Sequence, residues 1–175
     1  DLAAHEGYPG HHVYNVLLES NLAKKRNWSE FKVYALFSPQ SLIAEGTANY
    51  GIPMAFPGEE RIKFEKEVLF PLAGLNPEEA DLFYKVLDLQ KNFSYSGNEA
   101  ARNFLDGKWT REQTVEWLMK NALRTKDSAD KYVSFIEKYR GYVINYNLGM
   151  DIVKDYIERN GGTENNTAKR WELFE

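Results

Sequence analysis

Cysteine is absent from this sequence of 175 residues, and histidine occurs only three times. Without cysteine the chain can form no disulfide and no thiolate–metal bond, so a zinc site would have to use histidine, aspartate or glutamate. The lack of disulfides fits a reducing compartment but also fits many exported bacterial proteins. Localisation therefore stays open between cytoplasmic and exported.

Long apolar runs and long basic runs are missing as well. No stretch of about 18 apolar residues and no signal peptide is visible, which predicts that this segment does not span a membrane. A formal net charge of −4 without a basic run argues against a nucleic-acid partner. In contrast, 43% hydrophobic and 14% aromatic residues predict a folded chain with a core.

The two ends of the sequence influence the expected domain organisation. The chain begins at Asp1 without a methionine and ends on "AKRWELFE", an amphipathic start without a stop signal. We predict one helical domain over 1–175, an excised C-terminal portion of a longer protein whose remaining part is a partner. Residues 160–175 are predicted to be a mobile connection and the start of a truncated helix.

Helical signals recur along the chain and predict an all-α fold with no substantial sheet. Capping side chains precede prolines at Ser38-Pro39 and Asn76-Pro77, and Thr110 with Gln113 forms a capping box. The stretch "YGIPMAFPG" (50–58) is predicted to be a loop. The predicted helices cover residues 11–26, 29–37, 39–51, 59–70, 77–92, 97–106, 111–124 and 128–159.

All three histidines fall within "HEGYPGHH", residues 5–12. On an unbroken helix His5 and His11 would lie about 120° apart, so a regular helix could not aim both at one ion. Pro9 and Gly10 favour a bulge, which would bring His11 to the position of an i+4 ligand, while His12 remains an alternative ligand. Glu6 would then face the metal-bound water as a general base. The competing interpretation is a helix-breaking turn with solvated histidines.

A third ligand is expected from the stretch "SPQSLIAEGTANYG". Glu45 is its only carboxylate and is surrounded by small or apolar residues, where a carboxylate is costly unless it is paired or bound to a metal. The alternative is an exposed glutamate on a partly buried helix. Gly46 lowers helix stability and indicates the close approach of another backbone.

A donor for a developing oxyanion would have to be a tyrosine or an arginine, since no fourth histidine exists. The stretch "YRGYVINYNLG" is predicted to place Tyr139, Arg140, Tyr142 and Tyr146 on one helix, with Tyr142 and Tyr146 sharing a face. Tyr142 could contribute to substrate binding, and Arg140 could hold a substrate carboxylate through a bidentate pair. A tyrosine stripe that packs into a core is the competing interpretation.

The motifs "HEGYPGHH" and "AEGTANYG" together resemble the metallopeptidase-like proteins catalogued as domain-of-unknown-function family 885. That family shows H-E-x-x-P-G-H-H followed by an E-G-x-A-x-Y helix. Weaker similarities to the family lie in "LDGKWTREQTVEWL" and "YRGYVINYNLG", so the resemblance covers most of the chain.

The resemblance implies a helical, gluzincin-like zinc site in a bacterial peptide hydrolase. His5, His11 and Glu45 would be the zinc ligands and Glu6 the base, and Tyr146, at the family's Tyr-x-x-Gly, would be the first choice for the oxyanion donor. In the family, Gln often stands at the position of Tyr14, Trp at that of Thr47 and Glu at that of Ile52, and a histidine precedes its "GW" segment. Substrate-binding details are therefore not carried over.

Three functions are compatible with these motifs. The first is zinc-dependent hydrolysis of a peptide substrate, in which metal-activated water attacks the scissile carbonyl. The second is a non-catalytic helical binding or structural module that retains the motif, and the third is a zinc hydrolase acting on a non-peptide amide or ester. We expect the isolated 175 residues to be inactive or nearly so.

Overall fold

The computed structural model describes all residues from Asp1 to Glu175, and it contains helices without any β-strand. The predicted all-α class is therefore confirmed. No helix is both long and apolar enough to cross a membrane. In chain order the α-helices are α1 (Leu2–Glu6), α2 (His11–Leu18), α3 (Gln40–Ala55), α4 (Gly58–Phe64), α5 (Phe70–Leu72), α6 (Ala80–Lys91), α7 (Ser94–Leu105), α8 (Arg111–Asn121), α9 (Lys126–Tyr139), α10 (Leu148–Arg159) and α11 (Thr167–Phe174).

Short helical segments of other types connect several of these α-helices. π-Helical turns extend α2 over Glu19–Lys25 and α4 over Glu65–Leu69. The 3₁₀ segments are Ser29–Lys32, Pro77–Glu79 and Arg140–Tyr146.

The chain divides into two compact units, a division that the sequence did not predict. Unit 1 comprises Asp1–Pro57 together with Ile144–Glu175, and unit 2 comprises Gly58–Val143. Whether the chain folds as one domain, and whether residues 160–175 are mobile, stay predictions. Within the latter range the structure has the helix α11, which supplies Trp171, Leu173 and Phe174 to a core.

The core of unit 1 lies between α3, α10 and α11. Tyr50 and Met54, four residues apart on α3, pack with Ile157 of α10. The predicted loop at residues 50–58 is wrong, because α3 continues through Pro53 to Ala55. A proline inside a helix removes one hydrogen bond, and here the buried face formed by Tyr50 and Met54 compensates for that loss.

Unit 2 is built around α7, α8 and α9, whose buried residues are Ala100, Val115, Leu118, Ala129 and Val133. The capping box at the start of α8 is confirmed. The Thr110 hydroxyl accepts from the backbone N–H of Gln113, and the Gln113 side-chain oxygen accepts from the backbone N–H of Thr110. Asn76 caps its turn as predicted. Ser38 does not cap α3, where Pro39 occupies the cap position and no side chain bonds the helix start.

Two predicted helices are wrong. Residues 29–37 form only the 3₁₀ turn Ser29–Lys32, and Val33 and Phe37 remain 75% and 68% exposed, so no apolar face is available to stabilise a helix. The continuous helix predicted over 128–159 is interrupted, because Arg140 has a left-handed φ of 51°. A residue in that conformation ends an α-helix, and the chain continues as the 3₁₀ segment Arg140–Tyr146.

Candidate metal centre

The histidine motif folds as two short helices with a break between them. α1 ends at Glu6 and α2 begins at His11, as predicted from the lost hydrogen bond at Pro9. The amide of Gly10 donates to the carbonyl oxygen of Ala4 at 3.0 Å, so the chain turns back on α1. A Cβ on Gly10 would overlap the carbonyl oxygen of His5, and only glycine fits this turn. The turn brings His5 and His11 together, with ring centroids 4.7 Å apart.

Glu45 reaches both histidines from α3. Its side chain is buried, with 6% exposure, which excludes the alternative of an exposed glutamate. Glu45 Oε2 lies 3.3 Å from His5 Nε2 and 3.5 Å from His11 Nε2. The candidate ligand atoms of the three residues all lie within 4.8 Å of one another, so the group could hold a metal ion.

The two Glu45–histidine distances are longer than direct charge-assisted hydrogen bonds and are compatible with a shared metal ion. Charge-assisted N–H···O bonds are usually about 2.7–2.9 Å long. Donors at about 2.1 Å around a tetrahedral ion are separated from one another by about 3.4 Å. The two Glu45–histidine distances of 3.3 and 3.5 Å match the second value.

The position of Glu45 depends on two glycines. Gly46 packs against the backbone of Gly149 in α10, and a Cβ at Gly46 would overlap the Gly149 carbonyl group. The close approach of another backbone, predicted from Gly46, is confirmed. This contact fixes α3 against α10 and therefore fixes the turn of α3 that carries Glu45.

Electrostatics at the centre favour binding of a cation. The adjacent Glu45 carboxylate raises the pKa of His11 above its ordinary value, while burial lowers it. The negative charges of Glu45 and Glu6 raise the same pKa further. The two carboxylates thus create a negative potential at the His11 imidazole, which would attract a metal cation as well as a proton.

A cavity of about 660 Å³ opens on the three ligands. Glu6 and Tyr146 line it together with His5, His11 and Glu45, so five of the sequence-predicted site residues are brought together. Glu6 is exposed, and Tyr146 is 38% exposed. Both side chains can therefore be reached by a substrate that enters the cavity.

The other predicted site residues are placed differently. His12 is exposed on α2 and belongs neither to the ligand group nor to the lining of the cavity, which favours His11 over His12 as a ligand. Arg140 and Tyr142 belong to unit 2, and their predicted roles in substrate binding stay predictions. The prediction that Tyr142 and Tyr146 share one face of an α-helix is wrong, because both lie in the 3₁₀ segment.

Sequence reasoning missed Asn49, which lines the same cavity. Its Oδ1 lies 2.9 Å from His5 Nδ1, and its Nδ2 donates to the carbonyl oxygen of Tyr146 at 2.8 Å. The available signal was its position four residues after Glu45, since residues i and i+4 share a helix face. A search for polar residues one turn from a candidate ligand would have found it.

The arrangement thus comprises two imidazoles and one buried carboxylate around a common point, with a further carboxylate and a tyrosine in the same cavity. Comparisons with known proteins identify no relative: no family model, no curated protein and no solved structure matches this chain.

Proposed function

We propose that this chain is the zinc-binding catalytic portion of a metallopeptidase related to domain-of-unknown-function family 885. The observation that carries the proposal is the convergence of His5, His11 and Glu45 beside Glu6 in one open cavity. The motifs that carry the family resemblance are the same ones that supply these four residues.

The donor set supports zinc as the metal. Two histidines and one glutamate are a ligand set of catalytic zinc sites, which keep a further position open for water or substrate. Calcium and magnesium prefer sites built from oxygen atoms, and two imidazoles are poor ligands for them. The cavity beside the three ligands leaves space for that further position.

Zinc would supply a Lewis acid that polarises a carbonyl and acidifies a nearby water. Glu6 would take the proton from the attacking water and pass it to the leaving amine. Its carboxylate suits this role because it lines the cavity without belonging to the ligand group. The Tyr146 hydroxyl is the candidate donor to the oxyanion that develops on the substrate.

The experiment that tests the proposal has two arms. Zinc affinity is measured by competition with a chromophoric chelator for the unmodified chain and for His5→Ala, His11→Ala and Glu45→Ala, with His12→Ala as the matched control. We expect each ligand variant to lose affinity by at least about 100-fold and the control to keep it. Unchanged affinity in all three ligand variants would refute the metal site.

The second arm measures hydrolysis of a panel of peptides and of a panel of non-peptide amides and esters by the longest natural form of the protein. Cleavage of peptides alone supports the metallopeptidase. Cleavage of the non-peptide panel alone would replace it with a different zinc hydrolase, and zinc binding without any turnover would make the chain a binding module.

A further inference from the structure

One side-chain amide connects the candidate zinc ligand His5 to the segment that carries Tyr146. We propose that Asn49 is a positioning residue that sets the tautomer of His5 and couples metal binding to the backbone position of Tyr146. The coupling rests on the proposed function, because it requires the metal. The tautomer does not, because it follows from contacts within the chain itself.

The fold places Asn49 between these two partners. Asn49 is one turn after Glu45 on α3 and therefore faces the same cavity. The contact between Gly46 and Gly149 holds the start of α10 against α3. Tyr146 precedes Gly149 by three residues, so its carbonyl group comes within reach of the Asn49 side chain at 2.8 Å.

The hydrogen-bond partners decide which way the amide points. The Tyr146 carbonyl oxygen can only accept a hydrogen bond, so the atom of Asn49 that faces it must be Nδ2. The other amide atom, Oδ1, then faces His5 Nδ1 at 2.9 Å. Because Oδ1 can also only accept, His5 Nδ1 must carry the proton.

This tautomer is the one a metal requires. A neutral imidazole protonated on Nδ1 has its lone pair on Nε2, and His5 Nε2 is the atom that faces Glu45 and belongs to the ligand group. Groups that bond the outer nitrogen of a histidine ligand orient the ring, and their loss typically costs about 10- to 100-fold in metal affinity. Asn49 holds this position for His5.

The Asn49 side chain makes the coupling between the metal and the Tyr146 segment act in both directions. A metal that orders the His5 ring also strengthens the Asn49 contact, which in turn restrains the Tyr146 carbonyl. Thermodynamic linkage requires that fixing the segment around Tyr146 improves metal binding by the same factor. The donor proposed for the oxyanion would then be ordered when the metal is bound.

The tautomer is tested in the metal-free protein by ¹⁵N NMR of its three histidines at a pH where the imidazoles are neutral. The His5 signal is identified by its loss in His5→Gln. We expect the proton on Nδ1 in the unmodified chain and a loss of that preference in Asn49→Leu, which removes both hydrogen bonds at similar size. A neutral His5 protonated on Nε2 alone in the unmodified chain would overturn the proposal.

The coupling is tested with two variants that separate the partners. Asn49→Leu should weaken zinc binding by about 10- to 100-fold. Asn49→Asp can still accept from His5 but has no donor for the Tyr146 carbonyl, so it should bind zinc more tightly than Asn49→Leu. Amide hydrogen exchange over residues 144–149 should slow on addition of zinc in the unmodified chain, but not in Asn49→Asp.

Thr47→Val is the matched control on α3, since the Thr47 hydroxyl bonds within its own helix to Ile43 and does not line the metal cavity. It should behave like the unmodified chain in both measurements. Zinc affinity unchanged in Asn49→Leu, or equal slowing of exchange in Asn49→Asp, would contradict the coupling. If the unmodified chain bound no zinc, the proposed function and the coupling would both fall, while the NMR result would still decide the tautomer.

Discussion

Gly46 of α3 and Gly149 of α10 lie backbone against backbone, and neither position has room for a side chain. A Cβ at Gly46 would overlap the Gly149 carbonyl group, and a Cβ at Gly149 would overlap the carbonyl oxygen of Leu42. Backbone atoms cannot move aside as a flexible side chain can. The two helices would have to separate, and Glu45 and Asn49 would move with α3.

Gly46→Ala should therefore destabilise the chain even though alanine favours a helix over glycine by about 1 kcal/mol. Overpacking typically costs about 1–3 kcal/mol, and because the overlap here is with backbone we expect the upper end of that range, which leaves a net loss of about 2 kcal/mol in urea unfolding. Gly141→Ala is the control, because a Cβ there meets no atom within 4 Å. A stability change of equal size in both variants would contradict the argument.

The close approach at Gly46 and the convergence of His5, His11 and Glu45 could both be predicted from the sequence, because each depends on a local signal. Pro9 and Gly10 mark the turn, and Glu45 is the one carboxylate in an apolar helix. Other features depend on contacts between distant residues. Pro53 stays within α3 because its neighbours Tyr50 and Met54 pack with Ile157, more than one hundred positions away. The two partners of Asn49 likewise come from different parts of the chain.

The course of the chain after α9 could not be predicted for a related reason. Apolar and aromatic residues continue at helical spacing from Tyr139 to Tyr146, so the pattern alone favours one long helix. The left-handed φ of Arg140 interrupts it, although arginine carries no local signal for that conformation. The tyrosines consequently occupy a 3₁₀ segment, in which side chains three residues apart, and not four, are aligned.

Glu6→Gln should leave zinc affinity nearly unchanged and lower peptide turnover by about 10²- to 10⁴-fold. The amide keeps the size of the side chain but cannot accept a proton from water at neutral pH. Zinc affinity and peptide turnover are both measured on the longest natural form of the protein, with His12→Gln as a neighbouring control. Full turnover in Glu6→Gln would remove Glu6 from the mechanism.

His11 and His12 should differ sharply as zinc ligands although they are adjacent. His11 Nε2 faces Glu45 at 3.5 Å, whereas His12 is exposed outside the cavity. In zinc titrations that use competition with a chromophoric chelator, His11→Ala should weaken zinc binding by at least about 100-fold and His12→Ala by less than about threefold. A larger loss in His12→Ala than in His11→Ala would show that the turn at Pro9-Gly10 presents His12 to the metal.

The raised pKa of His11 predicts opposite pH dependences for folding and for zinc binding. The main cause of the shift is the adjacent Glu45 carboxylate, and the folded pKa lies above the ordinary value of 6.5. In the metal-free chain the protonated His11 contributes stability that is fully present below 6.5 and is lost as pH rises through the folded pKa. Zinc competes with that proton, so its affinity should fall as pH decreases through the same pKa.

The measurement is urea unfolding of the metal-free chain across pH 5–9 beside zinc titrations over the same range. The stability difference between the unmodified chain and His11→Gln should shrink with rising pH. Glu6→Gln removes one of the charges that raise this pKa, so it should move the fall in zinc affinity to lower pH. A fall in affinity that begins only below 6.5 in the unmodified chain would contradict the raised pKa.

The isolated 175 residues should bind zinc weakly and hydrolyse peptides slowly or not at all. His5 is carried by α1, a helix of five residues none of which is buried. A helix this short is unstable without tertiary packing, so part of the free energy of zinc binding would be used to order it. The three ligands also lie in a cavity that is open to solvent, whereas binding sites usually enclose most of their ligand. Any longer natural form of the protein that ordered α1 and enclosed the cavity should bind zinc more tightly and show measurable turnover. Zinc affinity and peptide hydrolysis of the 175 residues are compared with those of any longer natural form under identical conditions. Equal rates would show that the 175 residues already form a complete active site.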